Sequence, residues 1–395
     1  MTTKTMTGGQ AVVESLKIHE VDTVIGLIGS STLEILDALY DSKNIKYIGC
    51  HDERSGIIMS DAYARMKNKH GVFLAGQAGP GATNTITGLA QARAAFSPVV
   101  SLAGAISSEH EGKDAFQEVD QQLLFTPVTK KSFKIADTEN IHSIMQEAFK
   151  VAITPRMGPV NINLPRDVMG KTSSFRNPVK YQMDKLPEAK VSSLMKAVEL
   201  LTKADNPVII VGAGIKNNSS HETVLALAKL INAPCCTSAG HGDALPFEHP
   251  LNAGQMGPRG NAVASRLVKE ADVILVLGSR LGFNSTFYSY DNINKNASII
   301  HCEIDENSIG RYFTAEVGIF ADAKTVTEQL LVMLKSHQAK SEAKKWVDDF
   351  QAERKAYLEN RDQDADVKST PIQPSGLFKE LRQVLPKNAA ITMDA

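Results

Sequence analysis

The sequence predicts an α/β protein with two doubly wound domains, each built on a mostly parallel sheet. Short apolar runs typical of buried strands alternate with amphipathic stretches of helical period along the 395 residues. Polar or Gly-rich turns follow several runs, at the strand ends where such sheets bind ligands. Breaks in the pattern divide the chain into 1–170, a linker at 171–190, a second domain at 191–340, and a charged region at 341–395.

The composition excludes several classes of protein. The chain is 43% hydrophobic, its net charge is -1, and its basic residues are dispersed without interleaved aromatics, so we expect no nucleic-acid partner. The four cysteines have neither metal-ligand spacing nor a dense framework, which indicates a reducing compartment and no metal site. Because the sequence shows no long apolar run and no signal peptide, we expect a cytoplasmic protein without membrane contact.

The first domain should alternate strands and helices after a polar start. A helix is expected directly after that start, at Gln10–Lys17. The strands expected are Thr23–Leu27, Ile45–Ile48, Gly71–Leu74, Val99–Ala103 and Val160–Leu164, and the later helices are Thr32–Ala38, one from Glu53 to Arg65, Ala82–Ala95 and Ile141–Ala152.

One carboxylate stands at a junction between strand and helix. Glu53 follows the run Ile45–Ile48 and opens a helix of small residues that runs to Arg65. An acid in that place can face the crevice at the strand ends. It can also merely complement the helix dipole, which is worth ~0.3–1 kcal/mol, and spacing alone leaves both interpretations open.

Two Gly-containing turns follow other strands. Backbone N–H groups of Gly29-Ser30-Ser31 could stabilise an oxyanion, while the glycine could equally serve only to turn the chain. Residues 79–84, Gly-Pro-Gly-Ala-Thr-Asn, would allow a ligand close to the backbone, or would form an ordinary capped turn into a helix.

These motifs resemble the pyrimidine-binding domain of thiamine-diphosphate enzymes, specifically the acetolactate synthase-like group. The similarity lies in Glu53 with its helix ending in Asp-Ala-Tyr-Ala-Arg, in the turn at 79–84, and in Phe-Gln-Glu at 116–118. It implies that Glu53 activates the cofactor by contacting a ring nitrogen of the aminopyrimidine. The other residues that it implies near the cofactor are Gly79, Pro80, Asn84, Gln117 on the reactive side, Phe116 as a pocket wall, and Ser30.

The chain departs from the family at several places, among them Ala62, where the family usually has Gly, and Ala95, where it often has Asp. Asp52 stands before Glu53 where the family usually has His, and Ser30-Ser31 replaces the usual Pro-Gly-Gly loop, which is more similar to sulfoacetaldehyde acetyltransferase. These departures leave the substrate class open. In flavin-containing members an Arg at the position of Arg156 touches the flavin nucleotide, and the alternative here is an exposed Arg before an edge strand.

The second domain resembles the family's central domain. Gly212-Ala213-Gly214 follows a strand, but the third glycine of a nicotinamide fingerprint would fall at Asn217, so that fingerprint is absent. Acetolactate synthases bind flavin adenine dinucleotide in this domain, and other members bind a nucleotide, coenzyme A or nothing. The ligand-binding residues implied are Gly212, Gly214, Gly257, Arg280 and Asp305, and the strands expected are Val208–Val211, Pro234–Ser238, Val273–Leu277, Ile299–Glu303 and Gly318–Phe320.

The end of the chain should connect to a third domain. Trp346–Asp362 has the pattern of a solvated connector helix, Ser375–Leu385 that of an amphipathic helix, and Ala389–Ala395 that of a first strand. In the family this strand opens the diphosphate-binding domain, whose Gly-Asp-Gly…Asn motif for magnesium is missing here. We therefore expect a third domain truncated at its first strand, and an isolated chain without activity.

The resemblance implies decarboxylation of a 2-oxo acid, pyruvate, and carboligation, as in the acetolactate synthases of branched-chain amino acid biosynthesis. The cofactors would be thiamine diphosphate, Mg²⁺ held through the missing domain, and flavin adenine dinucleotide, with Glu53, Gln117 and Gly29 as catalytic residues. The family implies a homodimer or homotetramer with active sites at the subunit interface. Alternatives are an acetyl or acyl transferase or lyase, similar to sulfoacetaldehyde acetyltransferase or 2-hydroxyacyl-CoA lyase, and an inactive fragment or split subunit that acts as a binding partner.

Overall fold

The protein forms two compact units, Met1–Lys185 and Leu186–Ala395, and each is described separately. The computed structural model describes residues 3–216, 219–336, 340–386 and 388–392. Each unit contains a six-stranded sheet whose paired strands are all parallel. The predicted α/β class with two parallel-sheet domains is therefore confirmed.

Strands and helices alternate along the first unit. The strands that continuous apolar runs predict are buried along their whole length, as in the run Val-Val-Ser-Leu-Ala-Gly-Ala from Val99 to Ala105. The elements are β1 (Thr3–Thr7), α1 (Gly8–Ile18), β2 (Thr23–Leu27), α2 (Leu33–Tyr40), β3 (Lys46–Gly49), α3 (Glu53–Lys67), β4 (Gly71–Ala75), α4 (Pro80–Thr83), α5 (Ile86–Ala94), β5 (Val99–Ala105), α6 (Gln121–Phe125), β6 (Lys131–Lys134), α7 (Ile141–Ile153), β7 (Val160–Pro165), α8 (Arg166–Gly170) and β8 (Thr172–Arg176).

The main sheet of this unit has the strand order β3-β2-β4-β5-β7-β6. From β2 the chain continues to its neighbour on one side, β3, whereas from β4 it continues to the other side, β5. In open parallel sheets the crevice outside the carboxyl ends of the strands at such a switch point is the usual place for a ligand. The turns after β2, β3 and β4 meet at this edge.

Several details of the first unit differ from the expectation. The polar start is a strand, because β1 pairs antiparallel with β8, and β8 occupies the beginning of the expected linker. The two strands together form a ribbon, and each contains only one buried apolar residue, Met6 in β1 and Phe175 in β8. Their sequences therefore lack the apolar pattern that predicts a strand. The expected helix at 82–95 is two helices, α4 and α5, and the strand after Arg156 is not an edge, because β6 lies outside β7.

The second unit follows the same plan. Its strands β9 and β12, read from Pro207 and Val273, are buried along their whole length. The elements are α9 (Val191–Lys203), β9 (Pro207–Val211), α10 (Ala213–Lys216), α11 (His221–Ile231), β10 (Cys235–Thr237), β11 (Asn252–Gln255), α12 (Ala262–Glu270), β12 (Val273–Leu277), α13 (Phe283–Thr286), β13 (Ser298–Glu303), β14 (Val317–Phe320), α14 (Ala323–Leu334), α15 (Ser341–Asp364) and α16 (Pro374–Val384).

The sheet of the second unit has the order β11-β10-β9-β12-β13-β14. Counted within the unit this is 3-2-1-4-5-6, the order of dinucleotide-binding folds, with its switch point between β9 and β12. Strand β11 was not expected, since Asn-Ala-Gly-Gln contains no branched or aromatic residue. Asn217, where a third glycine would fall, lies outside the described residues.

The charged helix α15 belongs to the second unit and is not a solvated connector. Trp346 and Phe350 are buried in one of its hydrophobic clusters, and the Trp346 indole N–H donates to the carbonyl of Pro207 at 3.2 Å. The prediction of a strand at Ala389–Ala395 is wrong for residues 389–392, which form no strand. Residues 393–395 lie outside the described residues. Within the described ranges, no helix has both the length and the apolar character to cross a bilayer.

Candidate functional site

Glu53 lies at the switch-point edge of the first sheet. It is the first residue of α3, and only 8% of it is exposed. The Asn84 side chain donates from Nδ2 to Glu53 Oε2 at 3.0 Å, and a Cβ at Gly81 would stand 3.2 Å from Glu53 Oε1. The carboxylate is thus held between the start of α3 and the turn that follows β4, and the absence of a side chain at Gly81 leaves room beside one of its oxygens.

The neighbouring acid, Asp52, has a different role. Its side chain caps α3 by accepting from the backbone N–H groups of Arg54 and Ser55. It also forms a 2.8 Å ion pair with the Arg54 guanidinium, and hydrogen bonding from Arg54 lowers the pKa of Asp52 to about 2. Asp52 therefore serves the end of the helix and its exposed arginine, and Glu53 alone of the two is buried.

The turn after β4 brings Gly79 against Gln117. Gly79 has φ 62°, and a Cβ there would stand 2.4 Å from the Gln117 carbonyl oxygen, so both its conformation and its contact require glycine. Pro80 is the first residue of α4, where its missing N–H has no cost. The structure thus brings Glu53 and Gln117 into contact with the turn that carries Gly79, Pro80 and Asn84.

Gln77 joins three of these loops and was missed by the sequence reasoning. The backbone N–H and the hydroxyl of Ser30 each donate to Gln77 Oε1 at 3.1 Å, and Gln77 Nε2 donates to Gln117 Oε1. Its position directly after a buried strand was a signal that could have identified it. Its partners are 47 and 40 residues away in the chain, so the sequence could not show them.

The Gly29 loop offers fewer free donors than expected. The Ser30 N–H donates to Gln77, and the Ser31 N–H donates to the carbonyl of Gly76 at 3.0 Å. Gly29 itself is explained by packing, because a Cβ there would stand 2.4 Å from the Gly76 carbonyl oxygen. Two of the N–H groups proposed for an oxyanion are therefore engaged within the protein.

Phe116 and Arg156 are the other two residues of this unit that were expected near a cofactor. Phe116 adjoins Gln117 and is 85% exposed, and its role as a pocket wall stays a prediction. The Arg156 guanidinium lies over the Phe96 ring, 4.5 Å from its centroid. Because Arg156 precedes β7, it lies at the amino-end edge of the sheet, opposite the edge that carries Glu53.

In the second unit, the loops after β9 and β12 touch at the switch point. The Gly214 N–H donates to the Gly278 carbonyl at 3.1 Å, and a Cβ at Gly212 would stand 2.4 Å from the same oxygen. Gly257 has φ 96° and adjoins the Ser285 carbonyl. These glycines allow close loop packing, which explains them without a ligand.

Arg280 and Asp305 lie on the loops that follow β12 and β13. Arg280 is exposed. The Asp305 carboxylate caps a short turn by accepting from the Asn307 N–H at 3.1 Å and the Ser308 hydroxyl at 3.0 Å. Between these loops His301 donates from Nε2 to the Ser279 carbonyl at 2.9 Å and accepts from the Gly310 N–H at 3.3 Å, and burial lowers the pKa of His301.

A row of aromatic side chains lies on the same two loops, and the sequence reasoning did not single it out. Phe283 stacks on Phe287 at 4.8 Å, and Tyr288 stacks on Tyr312 at 4.3 Å. Phe283 and Tyr288 are 5.6 Å apart between ring centroids, so the four rings are continuous. Phe287 and Tyr288 both have positive φ, which indicates a loop held in a strained conformation. Phe283, Phe287 and Tyr288 are exposed and follow β12, as Arg280 does, so they offer a surface for stacking on the same loop.

Each unit matches a domain of known proteins. The N-terminal TPP binding domain of thiamine pyrophosphate enzymes matches residues 6–124, and the central domain of the same enzymes matches residues 194–330.

Three relatives are each matched over 98% of this chain. A probable acetolactate synthase large subunit of Methanocaldococcus jannaschii is 34% identical, with 66% of that protein covered. One of Methanococcus aeolicus is 32% identical, with 67% covered, and the acetolactate synthase isozyme 3 large subunit of Escherichia coli is 31% identical, with 68% covered. The chain therefore spans about two thirds of the length of these relatives.

Proposed function

Because this chain belongs to the thiamine pyrophosphate enzyme family, in its acetolactate synthase-like group, we propose that it forms the ring-binding part of an enzyme that decarboxylates pyruvate and joins the product to a second carbonyl compound. The observation that carries the proposal is the buried carboxylate of Glu53, oriented by Asn84 at the switch-point edge of the first sheet. The relatives' names support the reaction class.

The residues around Glu53 fit an aminopyrimidine. The Glu53 carboxyl would hold a proton at Oε1 against a ring nitrogen, while the Asn84 amide fixes the other oxygen. Gly79 and Gly81 would allow the ring to approach the backbone, and burial of Glu53 keeps water from its carboxyl. When bound, thiamine diphosphate supplies the nucleophile and the electron sink for decarboxylation.

The test compares two neighbouring acids. The chain is assayed for pyruvate consumption with thiamine diphosphate and Mg²⁺, alone and fused to the diphosphate-binding region of one of the relatives. In the fusion, Glu53→Gln should lower turnover at least ~100-fold, because an amide can bond the ring nitrogen but cannot manage its proton. Asp52→Asn is the matched control, since asparagine also caps helices well and should leave turnover unchanged. Near-normal turnover by the Glu53→Gln variant would refute the role given to Glu53.

A second candidate is an acetyl or acyl transferase or lyase of the same family. It is favoured by Ser30, whose N–H and hydroxyl both bond Gln77 in a loop that differs from the usual Pro-Gly-Gly. The same fusion is given pyruvate alone, sulfoacetaldehyde with phosphate, or a 2-hydroxyacyl-coenzyme A in separate assays. A 2-hydroxy-2-methyl-3-oxo acid formed from pyruvate indicates the synthase, acetyl phosphate formed with release of sulfite indicates the transferase, and an aldehyde formed with formyl-coenzyme A indicates the lyase.

The second unit is proposed to bind flavin adenine dinucleotide. Its strand order and the exposed aromatic row beside Arg280 support a ligand with a planar ring and an anionic group. Titration of the purified chain with the flavin, followed by absorbance, tests this. Binding of adenosine diphosphate or coenzyme A without flavin binding would assign the unit to another group of the family.

The remaining parts of the proposal concern the assembled enzyme. Mg²⁺ and the diphosphate would be held by a further domain, for which the greater length of the relatives leaves room. We propose a cytoplasmic homodimer or homotetramer with its active sites at subunit interfaces, and no turnover by the isolated chain. Sedimentation of the fusion protein and the assay of the chain alone check these points.

A further inference from the structure

The hydrogen bonds around Gln77 fix which way its amide faces. A backbone N–H can only donate, so the Gln77 atom that receives the Ser30 N–H must be the oxygen. The Ser30 hydroxyl donates to the same oxygen. The other end of the Gln77 amide, its NH₂ group, must therefore face Gln117.

The orientation of the second amide follows from the first. An NH₂ group has no acceptor, so Gln117 must turn its oxygen towards Gln77, as the contact between Gln77 Nε2 and Gln117 Oε1 shows. The Gln117 NH₂ group then faces away from Gln77. Within the described ranges it donates to no other residue, and the side chain is half-buried.

The backbone of Gln117 leaves the amide little other freedom. Its carbonyl lies against Gly79, and its φ is 64°. The next residue, Glu118, closes the loop by accepting from the N–H groups of Gly112 at 2.5 Å and Ala115 at 2.9 Å. With the backbone held in this way, the hydrogen bond from Gln77 is what orients the terminal amide of Gln117.

We propose that Gln77 is a positioning residue that orients the amide of Gln117 so that its NH₂ group, and not its oxygen, is offered to the substrate. The group recognised would be an oxygen that accepts hydrogen bonds, such as the carbonyl or carboxylate oxygen of a 2-oxo acid. Only this choice of ligand rests on the proposed function. The amide orientation rests on Ser30, Gln77 and Gln117 alone.

The proposal assigns Gln117 the donor role that the Gly29 loop cannot fill with the N–H groups of Ser30 and Ser31. Those groups are engaged by Gln77 and Gly76. Ser30 donates to the Gln77 oxygen, and the Gln77 NH₂ group donates to the Gln117 oxygen. A change at Ser30 should therefore be felt at Gln117 through Gln77.

The test is Gln77→Glu, which keeps the size and the acceptor but removes the donor. The new carboxylate can still accept from Ser30, but it cannot donate to Gln117, so the Gln117 amide should turn and donate its own NH₂ group to that carboxylate. In protein labelled with ¹⁵N-glutamine, the Gln117 side-chain protons, assigned with Gln117→Glu, should exchange with water about tenfold more slowly than in the wild type, as protection by one hydrogen bond implies.

The matched control is Gln10→Glu. Gln10 is an exposed residue whose side-chain oxygen accepts from the Thr7 N–H in a capping box, where Glu serves equally well. It adds the same charge to the same unit and should leave the Gln117 exchange rate at the wild-type value. Unchanged Gln117 exchange in a folded Gln77→Glu protein would overturn the proposal.

Gln77→Met keeps the test decisive if the glutamate variant does not fold. Met can neither donate nor accept here, so the Gln117 oxygen loses its hydrogen bond and its side-chain ¹⁵N and carbonyl ¹³C shifts should change. Identical shifts in the wild type and in Gln77→Met would also overturn the proposal. Pyruvate is then added to the cofactor-loaded fusion: if the amide results hold but Gln117 does not respond, the proposed substrate is wrong and the orientation stands.

Discussion

Two buried histidines should make the first unit sensitive to acid. His19 stacks on Phe149 at 4.5 Å and on Tyr181 at 5.4 Å, and His70 contacts the same two rings at 4.7 and 5.6 Å. Only 5% of His19 and 7% of His70 are exposed. Burial lowers the pKa of each from 6.5 to about 4.

Proton linkage sets the direction in which pH changes the stability of the first unit. Since the folded-state pKa lies below the unfolded value, the unfolded chain binds more protons below pH 6.5, and stability is lost as the pH falls from about 7 towards 4. Between pH 7 and pH 5 the folded imidazoles remain neutral while the unfolded ones become charged. This costs about 2 kcal/mol of unfolding free energy for each histidine, or about 3–4 kcal/mol for the pair.

The neighbouring charges do not cancel this effect. Lys180 pairs with Glu20 at 2.7 Å, and Lys69 pairs with Asp22 at 2.6 Å. Hydrogen bonds from Lys69 and Tyr63 lower the pKa of Asp22 to about 2, so Asp22 stays ionised throughout the window. Lys180 also disfavours a positive charge on both imidazoles.

The assay is urea unfolding at pH 7 and pH 5. The variant carries His19→Phe, which keeps the ring stack, and His70→Gln, which can still donate to the Phe149 carbonyl as His70 Nε2 does at 2.9 Å. Circular dichroism follows both units, and fluorescence of the single tryptophan, Trp346, identifies the transition of the second unit. The first unit of the variant should lose about 3–4 kcal/mol less than the wild type between the two pH values. An equal loss in both proteins would refute the reasoning.

Two further predictions concern the ligand sites. Arg280→Ala should weaken flavin adenine dinucleotide binding by roughly 1.5–3 kcal/mol in a titration, if the guanidinium holds a phosphate through charged hydrogen bonds; equal affinity would remove Arg280 from the site. Gly79→Ala should lower the free energy of unfolding in urea by ~1–3 kcal/mol more than Gly112→Ala. Both glycines have positive φ, but only Gly79 lacks room for a Cβ, whereas no atom lies within 4 Å of a Cβ built at Gly112. Equal losses would show that the contact with Gln117 does not matter.

The sequence was informative wherever burial is continuous. Strands β4, β5, β7, β9 and β12 are buried along their whole length, so their apolar runs were recognised. Strands β1, β8 and β11 lack such runs, because few of their residues are both apolar and buried, and only their pairing with a distant strand identifies them. Pairing partners far apart in the chain leave no local pattern.

The same limit applies to the site. Glu53 could be singled out because a strand, an acid and a helix follow one another in the sequence. The place of Gln77 after a buried strand was a weaker signal, and its role could not be predicted, since that role depends on Ser30 and Gln117, which only the fold brings to it. The motif also fixes the place of Phe116 in its loop but not its exposure, which depends on how the loop packs.

The packing of α15 sets where the second unit can be cut for production on its own. Trp346 and Phe350 belong to the hydrophobic cluster that also contains residues of β12 and α12. Arg266 of α12 donates to Glu353 on the same face of α15 and lies over the Trp346 ring. A shortened version ending at Lys340, the boundary that composition alone suggests, would leave this cavity open to water and prone to aggregation. A fragment from Leu186 to Asp364 keeps the helix and is the one to clone for crystallisation or screening of nucleotides.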